Sequence, residues 1–211
     1  MTGATELRTL TIPETKAVYD TIYREAFPPM ELRPFASIRE MTAAGEYRTL
    51  GCCEAGRARA YASLWDAGNG FTLLDYLAVP RDSRGQGGGS AMLSALKEQM
   101  GQQEILMIES EAPTGDPAAD EPILRRLQFY RRCGAREAGF DAGVFGVRYR
   151  MLYLSRGKKP DGAELLRRYR ALYRSRCSEA LWKRAFRIPL QPGESAPAYQ
   201  EWIEEVRREK A

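Results

Sequence analysis

Four glycines crowd one junction between a predicted strand and a predicted helix. They lie within residues 77–90, which read LAVPRDSRGQGGGS. Glycine lets the backbone approach a ligand closely and tolerates positive φ. The free N–H groups at the start of the following helix, together with the positive end of its dipole, favour an anion. The junction therefore predicts a strand–turn–helix unit that binds a phosphate or pyrophosphate.

Hydrophobic periodicity places regular elements on both sides of this junction. Strands are predicted at 6–12, 47–54, 57–65, 71–79, 104–111, 135–141 and 145–155, and helices at 13–27, 35–45, 87–100 and 121–133, with Asp120 as the cap of the last helix. Three further amphipathic helices are expected, one around 165–173, one from Ser178 through Phe186 and one over 197–209. The order predicts an α/β fold of the α+β type. Its mostly antiparallel sheet is flanked by helices and followed by a C-terminal helical extension.

The amino-acid composition excludes several kinds of catalytic and metal site. The 211 residues include no histidine, which excludes Ser-His-Asp and Cys-His catalysis and most catalytic zinc sites. The four cysteines, Cys52, Cys53, Cys133 and Cys177, form no CxxC pair, so we expect reduced thiols and no metal. No apolar run approaches the ~20 residues that span a bilayer, and the N-terminus lacks a signal-peptide pattern. A soluble cytoplasmic protein without a membrane partner is expected.

The positive charge belongs to the C-terminal part of the chain. Residues 1–155 carry 18 basic and 20 acidic side chains, a net of −2, whereas residues 156–211 carry 14 and 8, a net of +6. Basic residues interleaved with aromatics suit nucleic acid. The alternative is that the leucines and tyrosines of the helix around 165–173 pack on the preceding domain while the arginines face solvent. We favour this packing over a nucleic-acid partner. Two further roles of the C-terminal part stay open, which are closing a substrate cleft and forming a homodimer interface.

The glycine junction could be one of three kinds of phosphate-binding turn. The alternative to all three is a glycine-rich loop that binds no ligand. A P-loop needs GxxxxGK[ST], and no lysine follows these glycines. A Rossmann turn needs GxGxxG in a parallel βαβ series, but the third position is Ser90 and three consecutive short strands precede the turn. The third kind is the acyl-CoA turn.

Two motifs carry a resemblance to a known family. The run Arg84-Gly85-Gln86-Gly87-Gly88-Gly89 matches (Q/R)xxGx(G/A), and the downstream segment FYRRCGA occupies residues 129–135. Both resemble the GNAT superfamily of acetyl-CoA-dependent N-acetyltransferases, and the order of elements agrees over about residues 5–155. The resemblance implies a GNAT domain over 1–155. Residues 156–211 lie outside it, and their amphipathic pattern predicts a basic helical extension that packs on this domain.

The resemblance also implies how acetyl-CoA binds. The strands on either side of the turn splay apart, the pantetheine inserts between them, and the turn holds the pyrophosphate. The cofactor-binding residues implied are Leu77, Ala78, Val79, Arg84, Gly85, Gln86, Gly87, Gly88, Gly89, Ser90 and Tyr130. An N–H group of the strand polarises the thioester carbonyl, and Tyr130 protonates the departing thiolate. The acidic loop APTGDPAADEP replaces the asparagine that many members place after the central strand.

The acceptor implied is a primary amine of a small molecule or peptide, acetylated by direct transfer in a ternary complex. An alkyl amine is protonated at neutral pH, so a base is required. Asp75, Glu109 and Glu111 are the candidate bases. Successive side chains of a strand alternate between its two sides, which puts Asp75 on the same side as Leu77 and Val79. The choice among the three carboxylates stays open. Glu31 and Arg33 are candidate contacts for an amine and a carboxylate of the acceptor. The alternative function is a non-catalytic acyl-CoA sensor whose basic tail binds a partner or nucleic acid.

Overall fold

The computed structural model describes residues 6–54, 56–157 and 159–199. Its strands are β1 (Glu6–Thr9), β2 (Tyr47–Glu54), β3 (Arg57–Asp66), β4 (Phe71–Ala78), β5 (Ile105–Glu111), β6 (Arg136–Val144), β7 (Val147–Ser155) and β8 (Phe186–Leu190). Its α-helices are α1 (Ile12–Val18), α2 (Arg24–Ala26), α3 (Phe35–Ala43), α4 (Gly88–Gln99), α5 (Pro117–Arg132), α6 (Gly162–Arg174) and α7 (Glu179–Ala185). A π-helical turn (Tyr19–Tyr23) joins α1 to α2, and a 3-10 turn (Arg81–Ser83) precedes α4.

The described strands form one sheet in the order β1-β2-β3-β4-β5-β7-β6-β8. Neighbouring strands run antiparallel except β4 and β5, which are parallel. A parallel pair needs a crossover connection, and α4 provides it. The predicted α+β fold, with a mostly antiparallel sheet flanked by helices, is confirmed.

Hydrophobic side chains pack on both faces of the sheet. On one face α4 and α5 bury residues such as Met92, Leu93 and Leu127. On the other face α1, α3 and α6 bury residues such as Ile38 and Leu165. The 3.6-residue spacing of these apolar positions explains why each segment is an amphipathic helix with one buried stripe.

Several boundaries differ from the sequence prediction, among them the end of β1, which is Thr9 rather than residue 12. Helix α5 begins earlier than expected, because Asp116 rather than Asp120 caps it and accepts a hydrogen bond from the Ala118 N–H. Asp120 instead accepts hydrogen bonds from the backbone of the preceding loop, at Thr114 and Gly115. The β6–β7 turn consists of Phe145 and Gly146, which both have positive φ, so β6 continues beyond its predicted end.

The prediction that Phe186 lies on the helix capped by Ser178 is wrong. Helix α7 ends at Ala185, and Phe186 begins β8, which pairs with β6 at the edge of the sheet. Phe186, Ile188 and Leu190 alternate with less buried residues, which is the period of a half-buried strand. Of the predicted helix at 197–209, residues 197–199 are described and are not helical, and the rest lies outside the described residues.

No helix in the described ranges has the length and apolarity needed to cross a membrane. All four cysteines are free. The extension after residue 155 contributes both helices and a strand to the fold.

Candidate active site

A fork opens between β4 and β5. Their parallel pairing covers four residue pairs, from Phe71 with Ile105 to Leu74 with Ile108. Among the described strands, β4 pairs beyond Leu74 with β3 alone, and the end of β5 pairs with β7 alone. The splayed sheet that the resemblance implied is therefore present.

A bulge at Asp75 marks the start of the fork. Leu74 pairs with Leu64 and Tyr76 pairs with Ser63, so Asp75 is the extra residue on β4. A bulge bends its strand and shifts the alternation of side chains. The parity that grouped Asp75 with Leu77 and Val79 is wrong for this reason. Asp75 lies instead on the side of the sheet that carries Tyr47.

A cavity of about 200 Å³ occupies the fork. Its lining includes most of the predicted site residues, namely Glu31, Arg33, Asp75, Leu77, Ala78, Val79, Arg84, Glu109, Glu111 and Tyr130. The remaining predicted turn residues, 85–90, are not among those that line the cavity, and 88–90 form the start of α4. Sequence analysis missed further lining residues, among them Tyr76, Arg126, Phe145, Tyr149 and Tyr173.

The glycine turn leads into helix α4, whose N-terminus has no side-chain cap among the described residues. Gly87, the residue that precedes α4, has a φ of 83°, which lies in the left-handed region. A Cβ on Gly88 would lie 2.5 Å from the carbonyl oxygen of Arg59, so only glycine lets α4 pack this closely on β3. The arrangement presents backbone N–H groups of the first turn and the positive end of the helix dipole.

Side chains hold the turn in place. Arg84 donates from Nε to the Val79 carbonyl at 3.3 Å and lies 3.6 Å from the carboxylate of Glu25. Gln86 donates to the Asp82 carbonyl at 3.0 Å and accepts from Arg59 at 2.8 Å. The Arg84 side chain is about half exposed, so its guanidinium can reach an anion at the helix start.

Asp75 forms a buried ion pair with Arg33. The Arg33 Nε atom lies 3.1 Å from Oδ2, and Nη2 lies 3.4 Å from Oδ1. The Tyr47 hydroxyl donates to Oδ2 at 2.7 Å. Burial opposes the charge on Arg33, but Asp75 raises the pKa of the guanidinium overall. Both carboxylate oxygens of this candidate base are thus engaged.

The loop over 28–34 is fixed to the sheet by tyrosines. The Tyr19 hydroxyl donates to the Arg33 carbonyl at 2.8 Å, and the Arg33 N–H donates to the Tyr76 hydroxyl at 2.6 Å. The Tyr76 hydroxyl donates in turn to the Glu31 carbonyl at 3.0 Å. These bonds orient the loop so that the side chains of Glu31 and Arg33 both line the cavity.

Glu109 on β5 contacts two tyrosines of the C-terminal extension. Tyr173 donates a hydrogen bond of 2.8 Å to Oε1, and Tyr169 donates to the same oxygen. Burial raises the pKa of Glu109 to about 7, while the tyrosine hydrogen bonds and Arg33 lower it and Asp75 raises it. Glu109 is therefore poised between its protonated and ionised forms near neutral pH.

Two more carboxylates line the cavity. Burial first, and then the nearby charges of Glu111 and Glu109, raise the pKa of Glu31 to about 7, against the opposing effect of Arg126. Glu111 pairs with Arg126, with Oε2 2.6 Å from Nη1. The carboxylate of Glu111 is therefore paired with an arginine, whereas Glu31 has a raised pKa and lines the cavity without such a partner among the described side chains.

Tyr130 lies in the last turn of α5. It is 6% exposed and lines the cavity, and burial raises the pKa of its phenol to about 12. Because Tyr130 lines the cavity, a ligand bound there can contact its side chain. A phenol with this pKa is protonated at neutral pH and can donate a proton.

The chain can now be compared with known proteins. The profile of the Acetyltransferase (GNAT) family matches residues 14–135, which is more than half of the 211-residue chain. The chain belongs to the GNAT acetyltransferase family. Acyl transfer is the general activity of this family, and the GNAT member described here is an N-acetyltransferase. No curated protein sequence matches it.

Solved GNAT structures share the fold at low sequence identity. A protein from Bacteroides thetaiotaomicron assigned to the GNAT family is 19% identical, with a TM-score of 0.58 over 78% of this chain and 94% of that one. An aminoglycoside 6′-N-acetyltransferase in complex with coenzyme A is 12% identical, with a TM-score of 0.54 over 74% and 99%. A protein from Desulfovibrio desulfuricans assigned to the family is 18% identical, with a TM-score of 0.51 over 72% and 99%.

Proposed function

We propose that this GNAT protein transfers an acetyl group from acetyl-CoA to a primary amine by direct transfer in a ternary complex. The observation that carries the proposal is the fork cavity. Its lining includes Val79 and Arg84 of the segment that forms the glycine turn, the buried carboxylate of Glu109 and the protonated phenol of Tyr130. A donor site and a proton-accepting site thus meet in one space.

The donor end fits a coenzyme A moiety. The first-turn N–H groups of α4 suit the pyrophosphate, and Arg84 adds a positive charge beside them. Residues 77–79 line the fork where β4 has left β5, so backbone groups of Leu77, Ala78 and Val79 are placed to pair with the pantetheine. Acetyl-CoA supplies an acetyl group activated as a thioester. One strand N–H would polarise its carbonyl.

Glu109 is the proposed general base. An acceptor amine with a pKa near ~10.4 must lose a proton before it can act as a nucleophile, and a base with a pKa near the working pH removes it most effectively. The pKa of Glu109 is about 7, whereas the oxygens of Asp75 and Glu111 are engaged by arginines. Of the three candidate bases, these contacts favour Glu109.

Tyr130 is the proposed acid for the leaving group. Its buried hydroxyl lines the fork, and its pKa of about 12 keeps the proton available until a thiolate forms beside it. Proton donation of this kind contributes about 10²- to 10⁴-fold in other enzymes. Together Glu109 and Tyr130 would move one proton away from the amine and return one to the sulfur.

Glu31 and Arg33 are proposed for the acceptor end, with different roles. Glu31 lines the cavity and suits a second positive charge on the acceptor. Arg33 is paired with Asp75, so it orders the loop around the acceptor and contacts a carboxylate only if that pair opens. The acceptor is proposed as a small-molecule or peptide amine, and a cytoplasmic location stays a prediction.

Two measurements test the proposal. Thermal shift compares acetyl-CoA, NADH and buffer, because a ligand at a hundred times its Kd adds about 2.7 kcal/mol of stability. Thiol release from acetyl-CoA is then followed with a panel of amino acids, polyamines, aminoglycosides and peptide N-termini. Stabilisation by acetyl-CoA and thiol release that depends on an amine support the proposal. Stabilisation without release for any amine favours the acyl-CoA sensor, and stabilisation by NADH alone refutes both functions.

A further inference from the structure

Helix α6 brings two phenol groups to one carboxylate oxygen. Tyr169 and Tyr173 lie four residues apart, one turn of helix, so both hydroxyls project from the same face. Both donate to Oε1 of Glu109. In the part of the chain that the structure describes, Oε2 accepts no hydrogen bond, so the two oxygens of this carboxylate have different environments.

Packing fixes both phenol rings. Tyr169 is 0% and Tyr173 is 5% exposed. The two rings meet edge to face at 5.3 Å between centroids, and Trp65 meets Tyr173 in the same geometry at 5.2 Å. Rings enclosed in this way cannot turn their hydroxyls elsewhere without opening the core.

Arginine side chains attach this helix to the first half of the chain. In the middle of α6, Arg168 donates to the side-chain oxygen of Asn69 at 2.9 Å. Just beyond its end, Arg176 pairs with Glu46 at 2.7 Å and with Glu40 at 3.1 Å. The extension is thereby held in one position relative to β5, although it lies outside the 14–135 segment that defines the family match.

We propose that Tyr169 and Tyr173 are positioning residues for Glu109, holding Oε1 so that Oε2 is the oxygen that takes the acceptor's proton. This role rests on the proposed function, in which Glu109 is the base. It gives the C-terminal extension a part in catalysis, since the extension supplies the groups that orient the base. Tyr173 also lines the cavity, so the same helix borders the acceptor.

Other charged and titratable groups act on Glu109 from the surrounding elements. They are Asp75 on β4, Arg33 and Glu31 on the 28–34 loop, and Tyr149 on β7. Substitution of either α6 tyrosine leaves these groups in place. A change in the titration of Glu109 in such a variant is therefore assigned to the lost hydroxyl.

The test is a carboxyl ¹³C NMR titration of protein labelled at glutamate. Glu109→Gln assigns the signal, and Tyr169→Phe, Tyr173→Phe and the double variant remove the donors. Hydrogen bonds to a carboxylate favour its charged form, so the Glu109 midpoint should rise by about one pH unit for each hydroxyl lost. The matched control is Tyr153→Phe, because Tyr153 is 1% exposed and its hydroxyl has no partner among the described residues.

The second measurement is the pH dependence of kcat. With an amine found active in the panel, the acid limb of kcat should move to higher pH in the tyrosine variants by the same amount as the NMR midpoint. Wild-type midpoints in both single variants would overturn the proposal. Shifted midpoints with full turnover by Glu109→Gln would instead refute Glu109 as the base, and the positioning role with it, while leaving acetyl transfer itself intact. Melting temperatures of all variants confirm that each is folded.

Discussion

Arg33 and Asp75, which are 42 residues apart in the chain, form a two-point ion pair at the base of the fork. Their side chains are 9% and 8% exposed. Arg33 also lies over the ring of Trp65, with 4.8 Å from its guanidinium carbon to the ring centroid. The pair joins the 28–34 loop to β4, and both segments line the fork cavity. We therefore expect its primary role to be structural, because it sets the distance between these two walls of the cavity.

Asp75→Asn should destabilise the protein strongly. Removing one partner of a buried ion pair leaves the other charge uncompensated and costs about 3–5 kcal/mol. For a chain of this size each kcal/mol lowers Tm by about 2–4 °C, so a loss of roughly 10 °C is expected. The measurement is thermal unfolding by circular dichroism.

The matched control for Asp75→Asn is Asp82→Asn. Asp82 pairs with Arg57 at 2.6 Å, but both side chains are about two-thirds exposed, and such pairs contribute about 0–1 kcal/mol. Its Tm should stay within about 3 °C of wild type. If the two variants melt at the same temperature, the Arg33–Asp75 pair is not the structural link described here.

The strand–turn–helix unit was predictable because its signals are local. The glycines, the apolar run before them and the helical spacing after them all lie within about thirty residues of sequence. Tyr130 and the glutamates of β5 followed from the same reasoning, because a motif and a strand pattern position them. The structure places Tyr130, Glu109 and Glu111 around one cavity.

The residues that sequence analysis missed depend on pairings across the chain. Periodicity put Tyr169 and Tyr173 on the buried stripe of a helix, but it does not say which strand that stripe faces. Their partner, Glu109, is 60 and 64 residues away. The bulge at Asp75 arises from the register with β3, and counting along β4 alone does not detect it. Strand β8 is only five residues long and directly follows a helix, so helical periodicity extended through it.

Glu31→Gln should change how stability depends on pH. The pKa of Glu31 is raised to about 7 in the folded protein, against an ordinary value of 4.5. The folded state then binds more protons than the unfolded state between these values, so the stability that this group contributes is present below pH ~4.5 and lost as pH rises through ~7. The variant should lose less stability than wild type between pH 5 and pH 8, measured by urea unfolding at each pH.

The control for the pH experiment is Glu14→Gln. Hydrogen bonds from Thr11 and Arg8 lower the pKa of Glu14 to about 2, so the stability that this group contributes is present above pH ~4.5 and is lost only as pH falls further. Between pH 5 and pH 8 the stability of this variant should therefore change with pH as it does in wild type. Parallel slopes for Glu31→Gln and wild type would show that Glu31 titrates as an ordinary surface carboxylate.

Gly88→Ala should weaken binding of acetyl-CoA. The added methyl group would lie 2.5 Å from the Arg59 carbonyl oxygen, so the start of α4 must move away from β3. Because the proposed pyrophosphate site consists of backbone N–H groups at that helix start, a shift of the helix misplaces several donors together. We expect at least a tenfold rise in Kd, about 1.4 kcal/mol, measured by isothermal titration calorimetry.

Gly51→Ala is the control for the glycine variant. Gly51 is a buried strand residue on β2 without positive φ, and a Cβ there meets its nearest atom at 3.6 Å, an ordinary contact. Acetyl-CoA should bind this variant as tightly as wild type. Equal affinities for the Gly88 and Gly51 variants would mean that the close approach of α4 to β3 does not set the donor site.

Tyr130→Phe should lower kcat and leave the affinity for acetyl-CoA nearly unchanged. The substitution keeps the ring that packs against Phe129, at 5.2 Å between centroids, and removes only the hydroxyl that lines the fork. If that hydroxyl protonates the leaving sulfur, kcat falls by about 10²- to 10⁴-fold. Kd is measured by calorimetry and kcat by thiol release. A thiol with a lower pKa leaves without a proton donor, so an acetyl thioester of an acidic thiophenol should narrow the gap between variant and wild type. Turnover of acetyl-CoA at the wild-type rate would refute the assignment of Tyr130 as the acid.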